Sequence, residues 1–295
     1  MEPLTNAARR EALDDYLRLY ETGDSLRPAS LPLPFDPVPA IQKVRWHLPF
    51  IEQMVSGELR EVTNELNQWK GALRRWDAWN RVLASRDEDR RWAVQWEFME
   101  PIPYQSMFQP SSARDRFTFA ATNALHQAHL TITPGRKDLL LGDPTSPAER
   151  QFFPPRRERE RQLARYARAW TSGPEFMKAL HAIDDKTNKQ ATADFRNRAS
   201  HAIAPRFSGG YTQAVTRRRI QAKGPIQQSD GTFREEAIPG KMIVEYGFGG
   251  TPPLDLVEVW KGNCVQLELA TGCFKRYVKL LEQATAGMPT ERSMP

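Results

Sequence analysis

The sequence predicts a mainly α protein, a helical bundle with a long N-terminal heptad helix and one β-hairpin insertion. A heptad repeat of apolar residues runs from Val55 to Trp76, and a second long apolar segment covers Leu254 to Ala284. Apolar residues at alternating spacings of three and four form one face of a helix that packs along another helix. Between these segments, Asp230-Gly231 separates two stretches of strand composition, which is the pattern of a hairpin. The chain is therefore expected to be helical apart from this insertion.

The first hundred residues are expected to form an N-terminal helical region. Thr5 to Thr22 predicts a first helix, and a proline-rich linker follows at residues 25–39. This linker could be a recognition segment for a groove in another protein, although a strap along the surface is favoured. The heptad helix is expected from about Ile41 to Ser85. Its seam consists of Val55, Leu59, Val62, Leu66, Trp69, Leu73 and Trp76.

Tryptophans are concentrated at the end of this region, at Trp76, Trp79, Trp92 and Trp96. Stacking on RNA bases is one use of such side chains. Packing between helices is the favoured interpretation, because an indole buries a large apolar surface.

Residues 101–295 are expected to form a second helical domain. Pro101 to Pro110 predicts a loop, after which Ser111 or Ser112 is expected to cap a helix that ends near Leu130. Residues 131–155 are rich in proline and glycine and predict a long loop.

The predicted helix before that loop carries His126 and His129, three residues apart. Two histidines at this spacing can share a metal, but no third ligand is suggested nearby, so core or surface histidines are favoured.

Three further elements complete the prediction. A basic helix is expected from Arg156 to Trp170, and another begins at residues 172–174. The hairpin is expected at about residues 211–248, and the long last helix follows it.

Composition restricts the class of protein. The net charge is +6 and the isoelectric point is about 9.4, which suits a polyanionic partner such as nucleic acid but also a surface of solvated arginines. Cys264 and Cys273 are expected on one helix, too far apart for a disulfide, and no residues have the spacing of a zinc site. No segment has the apolar length of a signal core or membrane span, so a cytoplasmic protein without membrane contact, metal or cofactor is expected.

The segment from Ala191 to Phe207 has the strongest chemical content. Its apolar residues Phe195, Ala199, Ala202 and Ile203 fall on one face of a helix. Asp194, Asn197 and His201 share a different, polar face, and Pro205 is expected to end the helix.

Arg196 to His201 reads R-N-R-A-S-H, and this stretch resembles the R-N-x-x-x-H form of the motif of the HEPN superfamily. The resemblance covers roughly the second half of the chain. It implies an all-α core, usually dimeric, and a metal-independent ribonuclease of the kind found in bacterial toxin–antitoxin and phage-defence systems. It also implies that Arg196, Asn197 and His201 are the catalytic residues.

These residue types suit RNA cleavage without metal. An imidazole such as that of His201 can act as base or acid near neutral pH. The guanidinium of Arg196 can hold the non-bridging phosphate oxygens in a bidentate fork. Asn197, one turn before His201, can fix the orientation of the imidazole by a hydrogen bond. Arg196 and His201 are separated by about 140° around a regular helix, so a distorted helix, a long reach of Arg196 or a partner subunit is needed to bring them together.

Basic residues outside the catalytic set are candidates for RNA binding. They are Arg157, Arg161, Arg165 and Arg168 on the basic helix, Arg198 beside the motif, and Arg217 and Arg219 on the first predicted strand. The four on the helix form a stripe that could follow a phosphate backbone or could simply be solvated. Arg198 could instead pair with Asp194, four residues earlier.

The sequence therefore predicts a metal-independent endoribonuclease that cleaves RNA through its 2′-hydroxyl, as the effector of a toxin–antitoxin or phage-defence system. Its expected partners are RNA, a second copy of the chain, and an antitoxin or sensor protein. The alternative is a non-catalytic nucleic-acid-binding module or a helical scaffold for dimerisation, which a buried His201 would favour.

Overall fold

The computed structural model describes residues 4–22, 32–35 and 38–290. These residues divide into two compact units, which we call the helical unit (Met1–Ala191 with Leu256–Pro295) and the hairpin unit (Thr192–Asp255). The proline-rich linker predicted at residues 25–39 lies largely outside the described residues.

The elements follow one another as helices, a hairpin and a final helix. They are α1 (Asn6–Thr22), a 3₁₀ turn (Pro39–Lys43), α2 (Ile51–Ala84), α3 (Glu88–Val94), a π-helical segment (Gln95–Met99), α4 (Pro101–Ser106), α5 (Gln109–Ile132), α6 (Arg156–Ala167), α7 (Gly173–Ala182), α8 (Lys186–Ala191), α9 (Phe195–Ser200), β1 (Thr212–Gln227), β2 (Phe233–Thr251) and α10 (Leu256–Ala286). The prediction of a mainly helical fold with one hairpin is confirmed.

The core of the helical unit is built around α2, which packs against α1, α5 and α10. Every side chain of the predicted seam from Val55 to Trp76 is buried. The predicted start at Ile41 is wrong, because residues 39–43 form a 3₁₀ turn and α2 begins at Ile51. Pro49 accounts for the difference, since proline disfavours helical backbone in the residue before it.

The tryptophans divide between core and surface. Trp76 and Trp79 are buried, and Trp79 stacks between the rings of Tyr16 and Phe98. Trp92 and Trp96 are exposed. Packing between helices is therefore confirmed for the first two tryptophans alone.

Two sequence predictions between α3 and α5 are wrong. The segment from Pro101 to Pro110 is helical, since it contains α4 and the start of α5. Proline suits the first turn of a helix, where its missing N–H costs no hydrogen bond. Neither Ser111 nor Ser112 caps α5, which begins at Gln109 without a side-chain cap.

The predicted boundary near residue 100 does not coincide with the division into units. α1 and α2 belong to the same unit as α5 and α10, and α2 packs against both of them. No helix in the described part of the chain is long and apolar enough to cross a membrane.

The hairpin unit contains the predicted hairpin, which is confirmed and is longer than expected. β1 and β2 pair antiparallel from Thr212↔Thr251 to Gln227↔Phe233. Asp230-Gly231 forms the turn, with Gly231 at φ +81. The register shifts beside Ala222, where the four residues 238–241 of β2 face a single residue of β1. This bulge separates a proximal half of the hairpin, next to its ends, from a distal half next to the turn.

A glycine determines how closely α6 and α7 approach. A Cβ on Gly173 would lie 2.0 Å from the carbonyl oxygen of Ala167. We therefore expect Gly173→Ala to lower the free energy of unfolding by about 2–3 kcal/mol, because the backbone must shift. Gly262→Ala in α10 is the matched control: nothing lies within 4 Å of its added Cβ, so it should be neutral or stabilise by about 0.5–1 kcal/mol. Equal destabilisation by both changes in urea titrations would contradict this account.

A carboxyl group lies inside the helical unit. Asn123 on α5 donates to Oε1 of Glu58 on α2 at 2.6 Å, while Oε2 is buried with no hydrogen-bond partner among the described residues. Burial raises the pKa of Glu58 to about 7, against the opposing effects of the Asn123 hydrogen bond and the Arg116 charge.

Stability should therefore fall as the pH rises through 7. The folded pKa lies above that of an unfolded glutamate, about 4.3, so the contribution of the protonated carboxyl is full below that value and is lost as Glu58 ionises. We expect the wild type to lose up to about 3 kcal/mol of unfolding free energy between about pH 5 and about pH 8, and Glu58→Gln to lose much less. Glu61→Gln, an exposed change on the same helix, should retain the wild-type pH dependence. The same slope in Glu58→Gln and the wild type would exclude Glu58 as the titrating group.

Candidate functional site

The motif residues lie on a short helix of the hairpin unit. α9 comprises only Phe195–Ser200, and the residues before it, Ala193 and Asp194, have left-handed backbone with φ of 49 and 53. The prediction that one helix continues through this segment until Pro205 ends it is therefore wrong.

The C-terminus of α9 explains why the helix stops before Pro205. The N–H of Ile203 donates to the carbonyl of Arg198, and that of Ala202 donates to the carbonyl of Ala199, both at 3.0 Å. Together with the positive φ of Ala202, these bonds form a Schellman motif, which ends a helix by satisfying its last carbonyls. His201 is the C-cap residue of α9.

All three predicted catalytic side chains are exposed: Arg196, Asn197 and His201. The amide of Asn197 donates to Oδ2 of Asp194 at 3.1 Å, and it makes no hydrogen bond to the imidazole of His201. Arg196 and His201 flank α9 at its two ends, about 7.5 Å apart along the helix axis. Asn197 thus donates its side-chain hydrogen bond to Asp194 and does not orient the imidazole of His201 as predicted.

Arg198 has a structural role in this unit. Its guanidinium donates to the hydroxyl of Thr251 at the end of β2, and it forms no ion pair with Asp194. This half-buried arginine therefore holds α9 against the base of the hairpin.

The segment between α9 and β1 fixes the motif to the hairpin. The Phe195 ring packs on that of Phe207 with centroids 5.5 Å apart. Leu254 donates its N–H to Arg206 and accepts one from Ser208, at 2.8 and 2.9 Å. The motif therefore rests on a hydrogen-bonded support rather than on a free loop.

The basic residues of β1 fall on both faces of the hairpin. Arg217 and Arg219 lie on one face and are exposed, and the Nε of Arg217 donates to the Tyr246 hydroxyl at 3.3 Å. Arg218 lies on the other face and pairs with Glu245. Arg217 and Arg219, two of the predicted RNA-binding residues, thus share one face, while the carboxylate of Glu245 lies on the other face and pairs with Arg218.

The predicted stripe on α6 is exposed in the helical unit. None of its members forms an ion pair with the described residues: Arg157, Arg161, Arg165 and Arg168. The inward side of α6 differs, since Arg156 and Arg159 contact Asp115 at 2.5 and 2.9 Å. Burial would raise the pKa of Asp115, but these two arginines hold it below its ordinary value. Structural and solvent-facing arginines therefore occupy opposite sides of one helix.

The two histidines of α5 do not converge on a common point. Nε2 of His126 lies 2.8 Å from Asp138 Oδ1, and Nε2 of His129 lies 3.2 Å from the carbonyl oxygen of Tyr166. Burial lowers the pKa of His129, partly offset by that hydrogen bond. Over the described ranges, no three histidine, cysteine, aspartate or glutamate side chains come together as a metal site would require.

The structure places the candidate residues in two groups. Arg196, Asn197, His201 and Arg198 share the hairpin unit with Arg217 and Arg219, while the α6 stripe belongs to the helical unit. The sequence interpretation missed Tyr246 and Phe248, which are highly exposed on the same hairpin face as Arg217. Their alternation with Gly247 and Gly249 is a signal that could have identified them.

Comparisons of this chain with models of protein families, with curated proteins and with solved structures found no match.

Proposed function

We propose that this protein is a metal-independent endoribonuclease that cleaves RNA through its 2′-hydroxyl. The observation that carries the proposal is the exposure of Arg196, Asn197 and His201 around one short, capped helix. A buried His201 would have favoured a purely structural motif, and it is open to solvent.

The chemistry assigns a role to each side chain. His201 takes the proton of the 2′-hydroxyl or supplies one to the leaving 5′-oxygen, and Arg196 neutralises the charge that develops on the phosphate. Attack by the 2′-oxygen on phosphorus, with departure of the 5′-oxygen, leaves a 2′,3′-cyclic phosphate and a 5′-hydroxyl. DNA lacks the attacking group and should not be cut.

A homodimer is the proposed active unit. One motif supplies a single imidazole, whereas the reaction uses both a base and an acid. A two-fold axis near α9 would bring a second His201 and a second Arg196 to the same phosphate. In line with the HEPN resemblance, the proposed biological role is that of an effector in a toxin–antitoxin or phage-defence system, controlled by an antitoxin or sensor protein.

The second candidate is a non-catalytic RNA-binding module. The contact of Asn197 with Asp194 favours it, because the imidazole of His201 then has no orienting hydrogen bond from Asn197. The exposed stripe on α6 serves either function.

The catalytic assignment predicts that His201→Ala and Arg196→Ala each reduce RNA cleavage at least about 100-fold, the usual minimum contribution of a general acid or base and of a group that stabilises transition-state charge. Arg196→Lys should also be impaired, because an ammonium group lacks the bidentate fork. The assay incubates purified protein with labelled RNA in excess EDTA and identifies the product ends. His47→Ala and Arg10→Ala, at exposed positions of the helical unit, should leave cleavage unchanged.

Three results would reject the mechanism: full activity of folded His201→Ala, efficient cutting of DNA, or activity lost in EDTA and restored by magnesium. RNA binding without cleavage by the wild type would support the second candidate.

The α6 stripe is predicted to contribute affinity rather than chemistry. Arg161→Gln with Arg165→Gln should weaken RNA binding and reduce the slope of log K against log salt by about 1–1.5, since each phosphate contact to a single strand contributes about 0.7. The measurement is fluorescence anisotropy at several salt concentrations. Arg10→Gln with Arg75→Gln removes the same charge from exposed sites elsewhere on the helical unit. Identical slopes for the two double variants would mean that the stripe is only a solvated surface.

A further inference from the structure

One face of the proximal hairpin carries exposed aromatic and basic side chains together. Side chains alternate between the faces of a strand. The three central cross-strand pairs of this face are Val215 with Phe248, Arg217 with Tyr246, and Arg219 with Val244, and Gln213–Gly250 and Gln221–Met242 lie on either side of them. We call the six residues of the three central pairs the aromatic face. All six are exposed, and the exposed fractions of Phe248 and Tyr246 reach 102% and 66%.

The opposite face of the same strands is built differently. Gly247 and Gly249 lie there, and a Cβ on either would come within 2.8 or 3.2 Å of Thr216. Arg218 and Glu245 neutralise each other on that side. That face also carries the aliphatic pair Ile220 and Ile243. The aromatic rings of the paired strands in the proximal half, Tyr246 and Phe248, therefore lie on the other side, where no core element of the hairpin unit covers them.

The aromatic face is also positively charged. Of its six residues, only Arg217 and Arg219 carry a charge, and none is a carboxylate. The Arg217 guanidinium lies 6.0 Å from the centroid of the Tyr246 ring. A solvated ribbon face would carry polar side chains, and a hydrophobic docking surface would not need two uncompensated charges.

Unpaired nucleic-acid bases match both properties. Every base has a flat apolar face, and the phosphate that accompanies it is anionic. Positions two apart on a strand, such as 246 and 248, are about 6.7 Å apart, roughly twice the 3.4 Å rise per nucleotide of a stacked strand. Two rings at this spacing can receive bases that have left their stack, whereas a duplex keeps its base faces covered.

We infer that the aromatic face binds single-stranded segments of RNA, with bases stacked on Phe248 and Tyr246 and phosphates contacted by Arg217 and Arg219. The inference takes RNA as the ligand from the proposed function, but it concerns binding and not cleavage. It assigns this surface the selection of unpaired substrate, separate from the chemistry at α9.

The test measures binding of the full chain to a fluorescent single-stranded RNA, a blunt duplex of the same sequence and single-stranded DNA. All proteins carry His201→Ala so that cleavage does not interfere. Phe248→Ala and Tyr246→Ala should each weaken single-strand binding about 10- to 100-fold, since a base stacked on an aromatic ring contributes about 1–3 kcal/mol. Duplex binding should change less than about twofold. Phe248→Trp, which keeps an aromatic ring at this position, should bind single-stranded RNA at least as tightly as the wild-type residue does.

Matched controls separate stacking from general hydrophobicity and from misfolding. Phe233→Ala removes another exposed phenylalanine, 69% exposed, from the distal half of β2, and it should leave the affinity unchanged. Phe248→Leu keeps an apolar side chain without a ring and should bind as weakly as Phe248→Ala. If Phe248→Ala does not fold, the comparison of leucine with tryptophan at position 248 decides the question.

The outcomes distinguish this inference from the proposed function. RNA cleavage by the wild type together with unchanged binding by Phe248→Ala and Tyr246→Ala would overturn the aromatic face and leave the nuclease standing. Selective loss of single-strand binding without any cleavage would support the face and reject the nuclease. Three other results would overturn the inference. The first is no RNA binding at all, and the second is an equal loss of affinity for duplex and single-stranded RNA. The third is a dimer that dissociates on Phe248→Ala with unchanged RNA affinity, which would make the face an interface between two copies.

Discussion

The helical unit depends on burial of the apolar seam of α2. Seven side chains from Val55 to Trp76 lose almost all contact with water, and burial of each large apolar side chain contributes about 1.5–3 kcal/mol. α1, α5 and α10 each obtain part of their core from this seam, so the positions of the outer helices follow from it. The α6 arginines owe their orientation to the same framework, because α6 packs on α5 and directs Arg156 and Arg159 toward Asp115. The other side of α6 is then left exposed to solvent.

The hairpin unit separates three tasks among neighbouring residues. Phe195 and Arg198 face inward and hold α9 to the hairpin. Arg196 and His201 face outward and carry the proposed chemistry, while Arg217 and its neighbours on the ribbon carry the proposed selection of RNA. This division explains how a motif as short as six residues can be exposed and still be well positioned: its support comes from Phe195 and Arg198, which are three residues apart and lie on the inner side of α9. It also explains why Arg198, although it lies inside the motif, is a poor candidate for contact with RNA.

Long periodic elements were predictable from the sequence, and short ones were not. The α2 seam, α10 and the hairpin each repeat one pattern over many residues, so a single exception does not change the outcome. The ends of α2 and α9 depend instead on Pro49 and on the left-handed turn at Ala202, where local terms of about 1–2 kcal/mol decide the backbone. Alanine gives no sequence signal for a left-handed turn, which is why the helix through His201 was expected to reach Pro205. The exposure of Phe248 could not be predicted either, because it requires that no other segment of the hairpin unit packs over the ribbon, which depends on the fold of the whole unit.

The prolines at and beyond the bulge have a consequence for the open edges of the ribbon. A two-stranded ribbon has two open edges, each able to add a further strand from another chain. Pro225 in the distal half of β1 and Pro239 in the bulge of β2 lack an N–H for such a ladder, and proline is a common means of blocking strand addition. The proximal half, between Thr212 and Gln221, has no proline and keeps a regular edge. Strand pairing of the ribbon with another chain is therefore favoured at the half that also carries Phe248 and Tyr246.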